Sequence, residues 1–294
     1  MLDDARAEGA VAARLFTDPV DTVAARTAAD VPALLDALEA ARRRGLFAAG
    51  YLAYEAGKGL ASARRGPACE GEGGGDGAPL GWFGLFERAR RIDAGTVAAL
   101  LPDPASAWIG GVAPRIARGD YQAAVEAVLA LIRAGDIYQA NLTFRADVPV
   151  LGNPLAAYAR LRRTARAGYG GFIWTGEQAI ASHSPELFFA LRDGQVMARP
   201  MKGTAARCGD AREDARAARE LAADPKQRAE NLMIVDLIRN DLSRIAVPGS
   251  VAVPDLFRVE SFPTIHQLVS DVAARLPEGA GAVDVLRAAF PCGS

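Results

Sequence analysis

Apolar residues recur along this chain at two periods, and the changes between them sketch its elements. In PALLDALEAARRRG the positions Leu34, Leu35, Leu38 and Ala41 return every three or four residues, which marks one face of a helix. LFAAGYLAY then predicts a buried strand, and GWFGLF a short aromatic one. From Asp120 onward, Val125, Val128, Leu129 and Ile132 return to helical spacing, with Asp120 as the expected N-cap and Gly135 as the stop. IYQANLTFRADV alternates residue by residue: Tyr138, Ala140, Leu142, Phe144, Ala146 and Val148 share one face, and Gln139, Asn141, Thr143 and Arg145 the other. GGFIW, AIASHS and ELFFAL predict three strands, the last turning through Asp193-Gly194 into QVMARPMKG. Asp224-Pro225 opens a long helix, with Asp as cap and Pro at the first helical position. RVESFPTIHQLVSDV predicts extended chain, and a short amphipathic helix follows it.

Hairpins and separate helices, with no internal repeat, predict the α+β class. Residues 64–79, RRGPACEGEGGGDGAP, are Gly-rich and aperiodic and predict a flexible loop. The expected division is a subdomain over 1–112, resting on a shared sheet system, and a region 113–294 that carries the sharper motifs. Composition adds exclusions. With 50% hydrophobic and 23% charged residues and a net charge of −1, the chain reads as an ordinary soluble protein, with no nucleic acid or membrane surface expected as partner. MLDDARAEG lacks the basic start of a secretory signal, and no apolar stretch approaches the ~18 residues that span a bilayer. Cys69, Cys208 and Cys292 are far apart and without ligand spacing, which points to a reducing, cytoplasmic setting. Nearly every basic residue is arginine; the lysines are Lys58, Lys202 and Lys226. Lysine can act as a neutral amine where arginine cannot, so a lysine retained inside a motif is a candidate for chemistry.

Four polar residues stand in apolar company: Glu186 in SHSPELFF, Lys202 in RPMKGT, Glu230 at the start of ENLMIVDL, and His266 in FPTIHQLV. Glu230 is expected to share a helix face with Met233, Ile234 and Leu237, where a carboxylate needs a partner or a cation. Each has an ordinary alternative: a salt bridge for Glu230, plain exposure for Lys202, and a satisfied core position for His266.

The order of the motifs narrows the choice. GDIYQANLTFR, SPELFF, RPMKGTAAR, KQRAENLMIVDLIRNDLSRIA, ESFPTIHQLVS and FPCGS occur in that sequence. Together they resemble the chorismate-utilising enzymes, a family that includes anthranilate, aminodeoxychorismate, isochorismate and salicylate synthases. The resemblance is close over roughly residues 115–294 and looser before. It implies a β-sandwich of two antiparallel sheets flanked by helices, with chorismate bound between the layers. In the water-using branches the position matching Gln139 is a lysine, and a glutamine there cannot serve as a base. Anthranilate synthases have alanine where this chain has Lys202, whereas the aminodeoxychorismate branch has lysine.

The resemblance therefore implies amination of chorismate at C4 by ammonia, on the route to 4-aminobenzoate and folate. Lys202 would attack the ring at C2, and Glu186 would protonate the departing C4 hydroxyl. Gly203 and Thr204 would offer backbone N–H groups to a substrate carboxylate, Gln139 would orient substrate or ammonia, and Glu230 would be one ligand of Mg²⁺. His266 matches a family histidine near the reacting side of the ring. The implied partners are a glutamine amidotransferase subunit and a fused aminodeoxychorismate lyase domain downstream. In the family the FPCGS segment continues into further carboxylate binders and two more Mg²⁺-binding glutamates. This sequence ends at Ser294, inside that motif, so an inactive fragment is expected. The alternatives are an anthranilate synthase component I and a non-catalytic remnant.

Overall fold

The computed structural model describes residues 1–60 and 77–293. Most of the loop expected over 64–79, with Cys69, lies outside the described residues. By contact the chain divides into two compact units, Met1–Val97 with Ala165–Ser294, and Ala98–Thr164. The first unit thus joins N-terminal residues to the later motifs.

In the Ala98–Thr164 unit, the strand Ala107–Ile109 pairs antiparallel with Val150–Gly152, and Ala113–Pro114 with Ala146–Asp147. Ala107, Ala156 and Ala157 form a small core with Ile109. The helix Arg118–Ala134 stops at Gly135, whose φ of 83° is the left-handed conformation that glycine adopts freely. Its cap is Ala117 rather than Asp120. Asp120 lies in the first turn, where a negative charge still favours the helix N-terminus. The long strand expected over 137–148 shrinks to Ala146–Asp147, and Tyr138 is 84% exposed. Alternation makes a strand only where a neighbour takes its hydrogen bonds, and within this unit the ladder is two residues long.

In the larger unit the helix Val31–Arg43 buries Val31, Leu34, Leu35, Leu38 and Ala41, the face that the spacing predicts. Val23, Leu52, Phe83 and Leu85, from a three-stranded sheet, meet it. Gly81–Phe86 is the middle strand of that sheet and Phe47–Leu52 an edge. Phe47–Leu52 is accordingly half-exposed and not the buried strand its apolar run suggests.

Two five-stranded antiparallel sheets are the largest layers. One runs in the order Ala179–Ser184, Tyr169–Trp174, Leu2–Asp3, Ala13–Leu15, Arg90–Ile92. In the other, the long strand Ile265–Arg275 pairs with Gln195–Arg199, Met201–Ala206 and Ala252–Ser261, and Leu187–Arg192 pairs with Gln195–Arg199. Asp193 and Gly194, with φ of 50° and 74°, make the hairpin turn. The run expected as one extended segment is a second hairpin, closed where the Phe262 N–H donates to the Ile265 carbonyl at 2.8 Å. The helix Pro225–Ser243 begins at Asp224, whose carboxylate accepts from the N–H groups of Lys226 and Gln227 at 2.8 and 3.0 Å. Its Ile234, Val235, Ile238 and Leu242 pack on Val196, Ala198, Val272 and Ala274. Antiparallel sheets with separate helices are the α+β class expected.

Candidate functional site

Met201–Ala206 and Ile265–Arg275 pair in two registers, Met201 with Val269 and Thr204 with Gln267. Three steps on one strand oppose two on the other, so Lys202 and Gly203 lie in a β-bulge. Gly203 has φ +103°, and a Cβ built on it would sit 3.1 Å from both Gln227 Oε1 and Leu268 Cβ. Only glycine meets both constraints without strain. Lys202 is half-buried. Its carbonyl accepts from Asn231 Nδ2 at 3.2 Å, reached from the Pro225–Ser243 helix. Among the described residues no hydrogen bond or ion pair holds the Lys202 ammonium.

Glu186 joins Ala179–Ser184 to Leu187–Arg192. Its N–H donates to Ser184 Oγ, and that hydroxyl donates to the Glu186 carbonyl, both at 3.1 Å. This local turn aims the carboxylate toward the bulge, where Glu186 Oε1 accepts from the Met201 N–H at 3.1 Å. The Glu186 carboxylate thereby reaches the backbone one residue before Lys202. Beside Glu186 lies a cavity of about 160 Å³, walled also by Ser184, Phe188, Pro200, Ile238 and Cys292.

Thr204 Oγ1 donates to Gln267 Oε1 at 3.1 Å. His266 is the next residue along, so strand alternation turns its ring to the other face of the sheet. There it is 2% exposed, with Nδ1 bonded to Ser261 Oγ at 2.8 Å and Nε2 to Asp214 Oδ1 at 3.0 Å. Arg207 holds Asp214 at 2.7 Å, and the Cys208 N–H adds a bond of 2.9 Å. The Arg207 guanidinium, then the Cys208 N–H, and His266 after them hold the Asp214 carboxyl well below the usual carboxylate range, against a smaller upward push from burial. His266 is thus a fully hydrogen-bonded core histidine between its strand and the Ala211–Ala223 helix.

Glu230 occupies the shoulder of its helix. The buried stripe is Asn231, Ile234, Val235, Ile238 and Leu242, one position further round than the face expected, and Leu237 is 40% exposed. Lys226 is 3.9 Å away, a long pair with a mostly exposed lysine, which adds little stability. Among the described residues no group of three His, Cys, Asp or Glu side chains converges to hold a metal. A hard cation such as Mg²⁺ takes about six oxygen ligands, so without such a cluster these residues do not by themselves fit the ion. Gln139, half-buried, belongs to the Ala98–Thr164 unit, and the other candidates belong to the larger one.

Sequence reasoning missed Asn231. Its signal was its spacing, since it stands three, four and seven residues before Ile234, Val235 and Ile238. It is therefore a polar residue placed on the buried stripe.

The chorismate binding enzyme family matches residues 2–294, and the chain belongs to it. It is 48% identical over 189 residues to aminodeoxychorismate synthase component 1 of Klebsiella aerogenes, covering 64% of this chain and 41% of that protein. It is 43% identical over 164 residues to anthranilate synthase component 1 of Streptomyces coelicolor, covering 55% of this chain and 32% of that protein. Anthranilate synthase component I from Streptococcus pneumoniae has a similar structure, with a TM-score of 0.77 at 26% identity, covering 98% of this chain and 74% of that one. The chain thus spans about two fifths of the length of the Klebsiella relative.

Proposed function

We propose that the chain is part of an aminodeoxychorismate synthase component I, a cytoplasmic transferase that replaces the C4 hydroxyl of chorismate by an amino group in 4-aminobenzoate and folate synthesis. The observation that carries this reading is the contact between Glu186 and the N–H of Met201, the residue before Lys202, beside a cavity. In the reaction, the Lys202 amine forms a bond to C2, the ring double bonds shift, and the C4–O bond breaks with a proton from Glu186, so the hydroxyl leaves as water. Ammonia then adds at C4, the double bonds shift back, the bond to Lys202 breaks to free its amine, and the new C4 ammonium returns a proton to the Glu186 carboxylate. Gly203 and Thr204 hold a carboxylate of the substrate, and Gln139 orients substrate or ammonia. His266 acts through the fold, by tying its strand to Asp214 and Ser261.

Mg²⁺ enters the proposal with Glu230 as one ligand, and no step is routed through it. An amidotransferase subunit supplies ammonia, consistent with the component 1 name of the Klebsiella relative; a fused lyase domain is a further partner of the longer protein. With no cluster of three His, Cys, Asp or Glu side chains among the described residues to hold the metal, the 294-residue chain alone is expected to be inactive. A second reading, anthranilate synthase, is favoured by the 43% identity to that enzyme's component 1. Lys202 argues against it.

The test joins this chain to the remaining residues of the Klebsiella protein and supplies chorismate, ammonium and Mg²⁺. Loss of a covalent route costs of order 10²-fold or more in rate, so Lys202→Ala should abolish 4-amino-4-deoxychorismate while Lys58→Ala does not. Unchanged turnover in Lys202→Ala would overturn the nucleophile. Anthranilate as the wild-type product would establish the second reading.

A further inference from the structure

We propose that Asn231 is a positioning residue that fixes the backbone of Lys202, an inference that rests on the nucleophile reading above. Asn231 is fully buried, on a stripe otherwise made of Ile234, Val235, Ile238 and Leu242. A leucine would satisfy that stripe, so the amide needs another reason. The bulge supplies it. Where two residues oppose one, the ladder is interrupted, and buried carbonyls along it require other donors. Both contacts of Asn231 Nδ2 go to carbonyls at the bulge, that of Lys202 at 3.2 Å and that of Leu268, opposite it, at 2.9 Å.

The amide is itself held. Its Oδ1 accepts from Ser270 Oγ at 2.6 Å, and that oxygen accepts from the Phe257 N–H at 3.1 Å. One polar group thereby ties the Pro225–Ser243 helix to three strands. Gly203 lets the helix come close enough, since any Cβ there would meet Gln227 and Leu268. The Lys202 Cα is thus fixed from behind, while its ammonium is left without a described partner. A nucleophile held in place by its main chain keeps its aim without a side-chain bond that would have to break before attack.

The chain has three lysines, so reductive methylation with formaldehyde and cyanoborohydride, read by mass spectrometry, reports on Lys202 against two internal controls. Lys226, on the same helix, and Lys58 report general loosening. In Asn231→Ala the labelling rate of Lys202 should rise about threefold or more as the bulge is released to local opening, with Lys226 and Lys58 unmoved. Ser270→Ala, which removes the brace on the amide together with the bond from the Phe257 N–H but keeps both contacts of Asn231 Nδ2, should raise it in the same direction by less. An unchanged Lys202, or a rise shared by all three lysines, overturns the proposal. If Asn231→Ala does not fold, Ser270→Ala decides by the same two criteria. The labelling needs no turnover, so its failure is separable from failure of the nucleophile reading, which Lys202→Ala tests.

Discussion

Gly203→Ala probes the local geometry on which both proposals depend. At φ +103° an L-residue lies outside its favoured regions, at a cost of about 1–3 kcal/mol. The new Cβ would also stand 3.1 Å from Leu268 Cβ and from Gln227 Oε1. Ordinary carbon contacts lie at about 3.5–4.0 Å, so either neighbour must yield, which adds about 1 kcal/mol. The sum is about 2–4 kcal/mol. Unfolding entropy of roughly 2.1 cal/mol/K per residue over 294 residues converts this to a fall of about 3–6 °C in melting temperature. The assay is thermal melting followed by circular dichroism, with Gly209→Ala as control. Gly209 has no heavy atom near its Cβ position and no positive φ, and its variant should melt within about 1 °C of wild type. A Gly203→Ala protein that also melts within about 1 °C would refute the reasoning about strain and close approach.

Two further perturbations test the charged groups. The Asp214 carboxyl is depressed in the folded protein, chiefly by Arg207, so its stabilising effect is complete above the unfolded-state value and declines as pH falls below about 4. Urea midpoints at several pH values should therefore show wild type and Asp214→Asn converging below about pH 4, and a constant gap would show that the depression is absent. In the chain joined to the Klebsiella remainder, Glu186→Gln should bind chorismate without turning it over at any Mg²⁺ level, whereas Glu230→Gln should need more Mg²⁺. Rescue of Glu186→Gln by Mg²⁺ would reverse the two roles.

What the sequence made legible was local. Asp224 followed by Pro225 specifies a helix start through bonds within three residues, and the helix begins there. Asp193-Gly194 specifies a hairpin by the φ values it tolerates, and the Leu34 stripe packs as its spacing requires. Features that depend on a distant neighbour were misread. Alternation over 137–148 did not reveal how short its ladder is, and the apolar run at Phe47–Leu52 did not reveal that it lies at a sheet edge. The buried face of the Pro225–Ser243 helix lies one position round from the expected one because Asn231, though polar, sits on it. At the site, Lys202 and Glu186 were visible as motif residues. The bulge that holds Lys202 arises from pairing with a strand some sixty residues away, which no local pattern encodes.

The alternation of Ile265–Arg275 also sorts the site's residues by task. His266 and Ser270 lie two steps either side of Leu268 and share its face: His266 and Ser270 meet the helix residues Asp214 and Asn231, and Leu268 lies against Gly203. Gln267 turns the other way, to Thr204. Polar groups on the helix side are all engaged with one another, as burial demands. Such groups hold a shape. The Lys202 ammonium, by contrast, has no partner among the described residues, and a cavity lies beside Glu186. Overall identity distinguishes the two amination reactions weakly, at 48% against 43%. The proposed position of attack therefore turns on one lysine in a bulge, and on the buried amide proposed to keep it there.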